Sequence, residues 1–139
     1  MMRMVIVDTG PVVSFLNKHD TFHAWTVEQW GRIKPPLLTC EAVVSEVCFL
    51  LRNFHWGQRA VLELLKRNIL EVPFRLMDER EVVAALLDKY ADLPVSLADA
   101  CLIRMAEIYP KSRILTLDRY FTVYRKRKKQ AIPLLSPFF

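Results

Sequence analysis

The sequence predicts an α/β fold, a three-layer α/β/α sandwich with a mostly parallel central sheet. Three observations predict it. The apolar run Ile114, Leu115, Leu117 has the pattern of a strand covered on both faces, as parallel strands are. Val43, Val47, Leu50, Leu51 and Phe54 recur at i, i+4, i+7, i+8 and i+11, the spacing of an amphipathic helix. Strand-like and helix-like segments alternate along the chain, which argues for strands joined by helical crossovers.

Each element has a local reason. Val5 to Asp8 reads as the first strand. Pro11 follows where the first turn of a helix tolerates it, with Thr9 or Gly10 as cap, and Val12 to Lys18 forms a short helix. Residues 20 to 31 form a second, anchored by Phe22, Trp25 and Trp30. Pro35-Pro36 stops it, and Leu37 to Thr39 is a short strand. Thr39 can cap the next helix, with Glu41 well placed in its first turn. After Trp56-Gly57 a helix covers 58 to 67, and Ile69 to Val72 is a strand closed by Pro73. Residues 78 to 90 form a helix with Val82, Val83, Leu86 and Leu87 on one side. Ser96 to Phe121 is a helix followed by a strand, with Asp118 at the strand's last position, and Ala131 to Leu135 is a final strand. Residues 1–139 are expected to form one domain.

Composition excludes several classes. Hydrophobic residues make up 53% and there are only 3 glycines, which rules out a disordered or collagen-like chain. No apolar run approaches the ~20 residues of a membrane span, and MMRMVIVD lacks the pattern of a signal peptide. A cytoplasmic location is expected. The 3 cysteines, Cys40, Cys48 and Cys101, fit core thiols better than a disulfide framework. His19, His23 and His55 do not form a ligand set. Phe15, Phe22, Trp25 and Trp30 fit a core or a subunit interface. The net charge of +5 is local. Residues 119 to 129, RYFTVYRKRKK, hold 6 of the 20 basic residues; without them 14 bases face 15 acids.

Four acids stand at informative places. Asp8 closes the first strand and Asp118 the fourth, at the carboxyl edge where open α/β sheets bind ligands. Asp99 sits in the first turn of its helix, in a Ser96-x-x-Asp99 capping pattern and among the apolar neighbours Val95, Leu102 and Ile103. Glu46 has Ala42, Val43, Phe49 and Leu50 as helical neighbours, which sets a carboxylate beside an apolar stripe. Thr116, two residues before Asp118, points to the same side of its strand. Turn, cap and surface roles explain each residue singly. Together the four carboxylates need a compensating cation, and Mg²⁺ or Mn²⁺ suits oxygen ligands.

The segments VIVDTGPVVSFL, TCEAVVSE, SLADACLI and TLDRYF resemble the successive motifs of PIN-domain ribonucleases, closest to VapC-type toxins of toxin–antitoxin pairs. The resemblance covers nearly the whole chain. It implies an α/β/α sandwich that binds Mg²⁺ or Mn²⁺ through Asp8, Glu46, Asp99 and Asp118, with Thr9 and Thr116 in support, and cleaves RNA. It also implies a cognate antitoxin and a homodimer as partners. The chain departs from the pattern at Gly10-Pro11, where Ser or Asn usually follows Asp-Thr, and at Tyr120, where a further acid or polar residue is usual. These departures imply one firmly bound metal and a second that arrives with substrate.

The basic run follows Asp118. Tyr120 and Tyr124 are placed to stack bases, and Arg125, Lys126, Arg127, Lys128 and Lys129 to track an RNA backbone; a solvated helix end is the plainer reading. Two rivals belong to other classes. A PIN-like chain without catalysis would bind RNA or an antitoxin. Asp8-Thr9-Gly10 is also the aspartic protease tripeptide, which in a short chain requires a homodimer and an all-β fold.

Overall fold

The computed structural model describes residues 2–139. The sheet begins with β1 (Val5–Val7), all of whose residues are buried. α1 (Thr9–Leu16) starts directly after it, earlier than Val12, because Asp8 itself caps the helix: its side chain accepts from the Thr9 N–H. Pro11 is thereby in the first turn, where its missing N–H is harmless. α2 (His23–Gly31) follows a turn in which Asp20 accepts from the Phe22 N–H. Phe15 stacks on Trp30 at 4.1 Å, so these two anchors pack α1 against α2.

β2 (Leu37–Leu38) leads into α3 (Glu41–Leu50). Thr39 does not cap α3. Its hydroxyl donates to the Val7 carbonyl at 2.8 Å and ties β2 to β1, while Cys40 holds the cap position without a side-chain bond. The buried stripe of α3 is narrower than its apolar spacing suggested. Val43, Val47 and the following Leu51 are buried, but Leu50 and Phe54 are 53% and 40% exposed. Phe49, also exposed, is covered by the Arg52 guanidinium 3.9 Å above its ring.

α4 (Gly57–Lys66) packs back on α3. That approach needs a glycine. A Cβ at Gly57 would collide with the Leu51 carbonyl oxygen and lie 2.8 Å from the Leu51 Cβ. β3 (Leu70–Glu71), α5 (Leu76–Lys89), α6 (Leu97–Ile108) and β4 (Arg113–Leu115) complete the crossover. On α5 only Val83 and Leu86 of the four expected apolar residues are buried.

The end of the chain differs most from expectation. The basic run forms neither a helix end nor a loop. β5 (Arg125–Lys126) and β6 (Gln130–Ala131) make an antiparallel hairpin, with Arg127 and Lys128 at positive φ in its turn. Pro133 then separates it from β7 (Leu134–Leu135), so the expected strand 131–135 is two short strands in different sheets.

The main sheet has the order β3-β2-β1-β4-β7, and every pairing in it is parallel. With helices on both faces it is the expected α/β/α sandwich, and an all-β protease fold is excluded. Chain order reverses between β1 and β4. The two strands stay paired to their carboxyl ends, and the crevice beyond them is the usual ligand position in such sheets. Cys40 and Cys101 are buried in the core, Cys48 is half-buried, and all three are free thiols. Among the described residues no helix is long and apolar enough to cross a membrane.

Candidate metal centre and active site

The crevice beyond β1 and β4 is a cleft of about 670 Å³ lined by Asp8, Glu46, Asp99, Asp118, Arg119 and Phe138, among others. Asp8 enters from the end of β1. Its Oδ1 accepts from the Thr9 N–H at 2.7 Å and its Oδ2 from the Thr116 hydroxyl at 2.8 Å. Thr116 is fully buried and serves twice, since its oxygen also accepts from the Asp118 N–H at 2.9 Å. One hydroxyl thus fixes both acids of the switch point.

Asp118 is not the last residue of β4, which ends at Leu115. It lies three residues on, where its carboxylate caps a short 3-10 turn at 119–122 by accepting from the Tyr120 N–H at 2.9 Å. Leaving the strand frees the side chain to turn into the crevice. Gly10, one of the departures from the motif, has a steric reason here. A Cβ on it would stand 3.3 Å from the Leu117 Cβ, so the glycine and the leucine fit each other.

Asp99 arrives from the opposite element. Ser96 and Asp99 form a complete capping box: the Asp99 N–H donates to the Ser96 hydroxyl at 3.0 Å and the Ser96 N–H to Asp99 Oδ2 at 3.1 Å. The Tyr124 hydroxyl reaches the same Oδ2 at 3.5 Å. Capping and site roles coexist, because the box uses Oδ2 and leaves Oδ1 without a hydrogen bond among the described residues. Ser96→Ala is expected to lower stability by about 1 kcal/mol, a fall of roughly 4 °C in a thermal melt. Its metal-induced melting shift should also shrink, because Asp99 loses its fixed orientation.

Carboxylate oxygens of Asp8, Asp99 and Asp118 lie within 4.8 Å of one another. Glu46 does not join this group. It is half-buried on the cleft wall, held by the Thr9 hydroxyl, which donates to its Oε2 at 2.7 Å. The geometry therefore brings three of the four expected acids together and links the fourth through Thr9.

Burial is the main influence on the cluster's charge state. It lifts the Asp8 carboxyl from 3.8 to about 7, against the Thr116 and Thr9 hydrogen bonds and aided by the charges of Asp99 and Asp118. Asp99 is raised as well, first by burial, then by Asp118 and Glu46 against its bonds to Ser96. Among the described residues no basic side chain forms an ion pair with any of the three aspartates. Two buried carboxylates and a half-buried one, with no described basic side chain paired to them and only oxygen donors to offer, fit a hard divalent cation.

The expected RNA-binding set divides. Tyr120 is 43% exposed at the cleft rim, open to stacking. Tyr124 is not. It is wholly buried, its ring 5.0 Å from Tyr90 and 5.2 Å from Phe121, so no base reaches it. Burial, followed by the Asp99 and Asp118 charges, raises its hydroxyl pKa, and the neutral hydroxyl points at Asp99 instead. Lys126 is likewise buried, its ammonium donating to the Pro110 carbonyl at 3.2 Å. Arg125 turns back on the carbonyls of Thr122, Val123 and Tyr124. Arg127, Lys128 and Lys129 are exposed, but the Arg127 N–H is held by Glu107, at the far end of α6. Glu107 is eight helical steps beyond Asp99, about 12 Å along the axis. The basic run adjoins Asp118 in sequence and leaves it in space. Sequence reading missed Arg119, the cation that does line the cleft. Its position next to Asp118 was the available signal.

A parallel sheet with an acidic crevice at its switch point defines a class, and the chain belongs to it: the PIN domain family, whose model matches residues 5–127. Within that family it is similar to the ribonuclease VapC26 of Mycobacterium tuberculosis, 29% identical over 124 residues that cover 87% of this chain and 92% of that protein. Among solved structures it is similar to Mycobacterium tuberculosis VapC20, a sarcin-ricin loop cleaving toxin, with a TM-score of 0.67 at 19% identity over 79% of this chain and 86% of that one. VapBC2 from Rickettsia felis, bound to a DNA fragment from their promoter, gives 0.61 at 14% identity over 97% and 98%. At those identities the structural likeness is one of fold.

Proposed function

We propose that this chain is an endoribonuclease of the VapC type, the toxin of a type II toxin–antitoxin pair, and that residues 1–139 act as one nuclease domain. The observation that carries the reading is the approach of the Asp8, Asp99 and Asp118 oxygens to within 4.8 Å at the switch point of the sheet. Family membership and the ribonuclease among the relatives support it. Asp8, Asp99 and Asp118 would hold Mg²⁺ or Mn²⁺, with Glu46 across the cleft. A divalent cation bound there supplies an activated water and stabilises charge on the phosphate.

The chain's own residues prepare that chemistry. Thr116 and the Thr9 N–H hold the Asp8 carboxylate at both oxygens, and the Ser96 box orients Asp99. Thr9 ties Glu46 to the same cleft. Tyr120 offers a face to a base beside the scissile bond. Arg127, Lys128 and Lys129 are left to contact phosphates distant from the cleft. A cognate antitoxin is the expected partner, supported by the toxin–antitoxin complex among the structural relatives. A homodimer in the cytoplasm is the expected state.

The experiment is incubation of the purified chain with single-stranded and stem-loop RNA in Mg²⁺, Mn²⁺ or EDTA. Internal cleavage in either metal and none in EDTA is expected. Undiminished cleavage in EDTA contradicts the metal assignment. Binding without cleavage in any metal leaves a non-catalytic RNA-binding protein.

A further inference from the structure

We propose that Arg119, laid on the ring of Phe138 at the rim of the acidic cleft, is a substrate ligand that takes a phosphate of the entering RNA chain. The inference rests on the ribonuclease reading and names a contact that reading does not contain. Arg119 lines the cleft together with the three aspartates, Tyr120 and Phe138. It directly follows Asp118, yet among the described residues it pairs with no carboxylate. Arginines elsewhere are used up: Arg104 is shared by Glu79 and Glu107, and Arg125 donates to three carbonyls. The Arg119 guanidinium makes no hydrogen bond to a described residue.

What holds it is an aromatic face. Its central carbon lies 4.3 Å from the Phe138 centroid, and Phe138 is itself braced edge-on by Phe22 at 5.5 Å. Stacking of this kind fixes a guanidinium through its face and leaves the N–H groups at its edge free to donate. An Arg fork presented that way matches two oxygens of one phosphate. Electrostatics gives it a purpose. A phosphodiester approaching three clustered carboxylates is repelled, and a fixed cation at the rim offsets that repulsion before the phosphate reaches the metal. Phe138 is then a positioning residue. The final segment of the chain would become part of the site although it lies outside the residues matched by the family model.

The test measures binding of a fluorescein-labelled single-stranded RNA by anisotropy, in millimolar Ca²⁺ across a range of KCl, beside steady-state cleavage in Mn²⁺. Arg119→Ala should weaken binding about tenfold and reduce the slope of log affinity against log salt by about 0.7, the share of one phosphate contact. Its cleavage should show the loss mainly in KM. Arg119→Lys should restore the slope and only part of the affinity, since a lone ammonium lacks the fork. Phe138→Leu should fall between wild type and Arg119→Ala. The Mn²⁺-induced melting shift should stay at the wild-type value in all three. An Arg119→Ala protein with the wild-type salt slope overturns the inference, whatever its affinity; a lowered melting temperature with that slope makes Arg119 a clasp for the end of the chain. A wild type that binds RNA without cutting it refutes the nuclease reading and leaves Arg119 to be decided by the slope. A wild type that does not bind RNA refutes both.

Discussion

Asp8→Asn is expected to lower metal-dependent RNA cleavage by more than about 100-fold while the protein stays folded. Losing a residue that merely supports a metal ligand costs 10- to 100-fold, so loss of a ligand should cost more. Asp8 is the most constrained acid of the site, bonded at both oxygens and shared through Thr116 with Asp118. An amide of the same shape keeps one acceptor for those partners and removes the charge. Steady-state cleavage of one RNA in Mn²⁺, with circular dichroism to confirm folding, measures the effect. Asp99→Asn and Asp118→Asn should fall in the same range. Glu46→Gln should lose less than any of the three, because Glu46 stands outside the cluster. Asp8→Asn activity within threefold of wild type would remove Asp8 from the metal site.

The second large effect is on stability. Without metal, folding raises the Asp8 pKa from 3.8 to about 7. The native state therefore holds a proton that the unfolded state releases. The stability associated with that proton is fully present below pH ~4 and is lost as pH rises through about 7. A shift of that size corresponds to about 4 kcal/mol, and Asp99, raised in the same direction, adds to it. Melting temperature in EDTA should consequently fall between pH 5 and pH 8 by on the order of 10 °C, apart from the protein's other titrations. Asp8→Asn carries no such proton, so its decline should be much smaller and its metal-free melting temperature at pH 8 higher than that of wild type. Metal at a hundredfold excess over its dissociation constant should return about 2.7 kcal/mol to the wild type. Melts at the two pH values, with EDTA and with Mg²⁺, check all of this. A wild-type melting temperature that does not change with pH in EDTA would contradict the clustering of these acids.

Much of the site is legible in the sequence because strand ends and helix starts are legible. Asp8 follows an apolar run, and Ser96 with Asp99 marks a helix start whatever the tertiary fold. Apolar spacing identifies Asp118 but sets it at the strand end, because that spacing carries no sign that β4 stops at Leu115. The stripe on α3 is narrower than its spacing for a related reason. Leu50 and Phe54 satisfy helical spacing, but spacing does not tell which apolar residues a neighbour covers. The basic run is the least legible part. Lys126 and Tyr124 are buried by contacts with Pro110, Tyr90 and Asp99, all distant in sequence, and the hairpin turn uses Arg127 and Lys128 where Asn-Gly is the recognisable signal. Arg119 was hidden because its partner ring is Phe138, near the far end of the chain.

Asp8, Asp99 and Asp118 are expected to hold one divalent cation between them. Calorimetric titration of Mn²⁺ into the metal-free protein near pH 6, in two buffers of different ionisation enthalpy, measures that binding. Binding should release protons, since Asp8 is largely protonated there and must ionise to ligate, so the two buffers should give different heats. Asp8→Asn and Asp118→Asn should each weaken the binding severely. Mn²⁺ binding that is equally tight in Asp8→Asn, Asp118→Asn and wild type, with the same heat in both buffers, would contradict a cation shared by these acids.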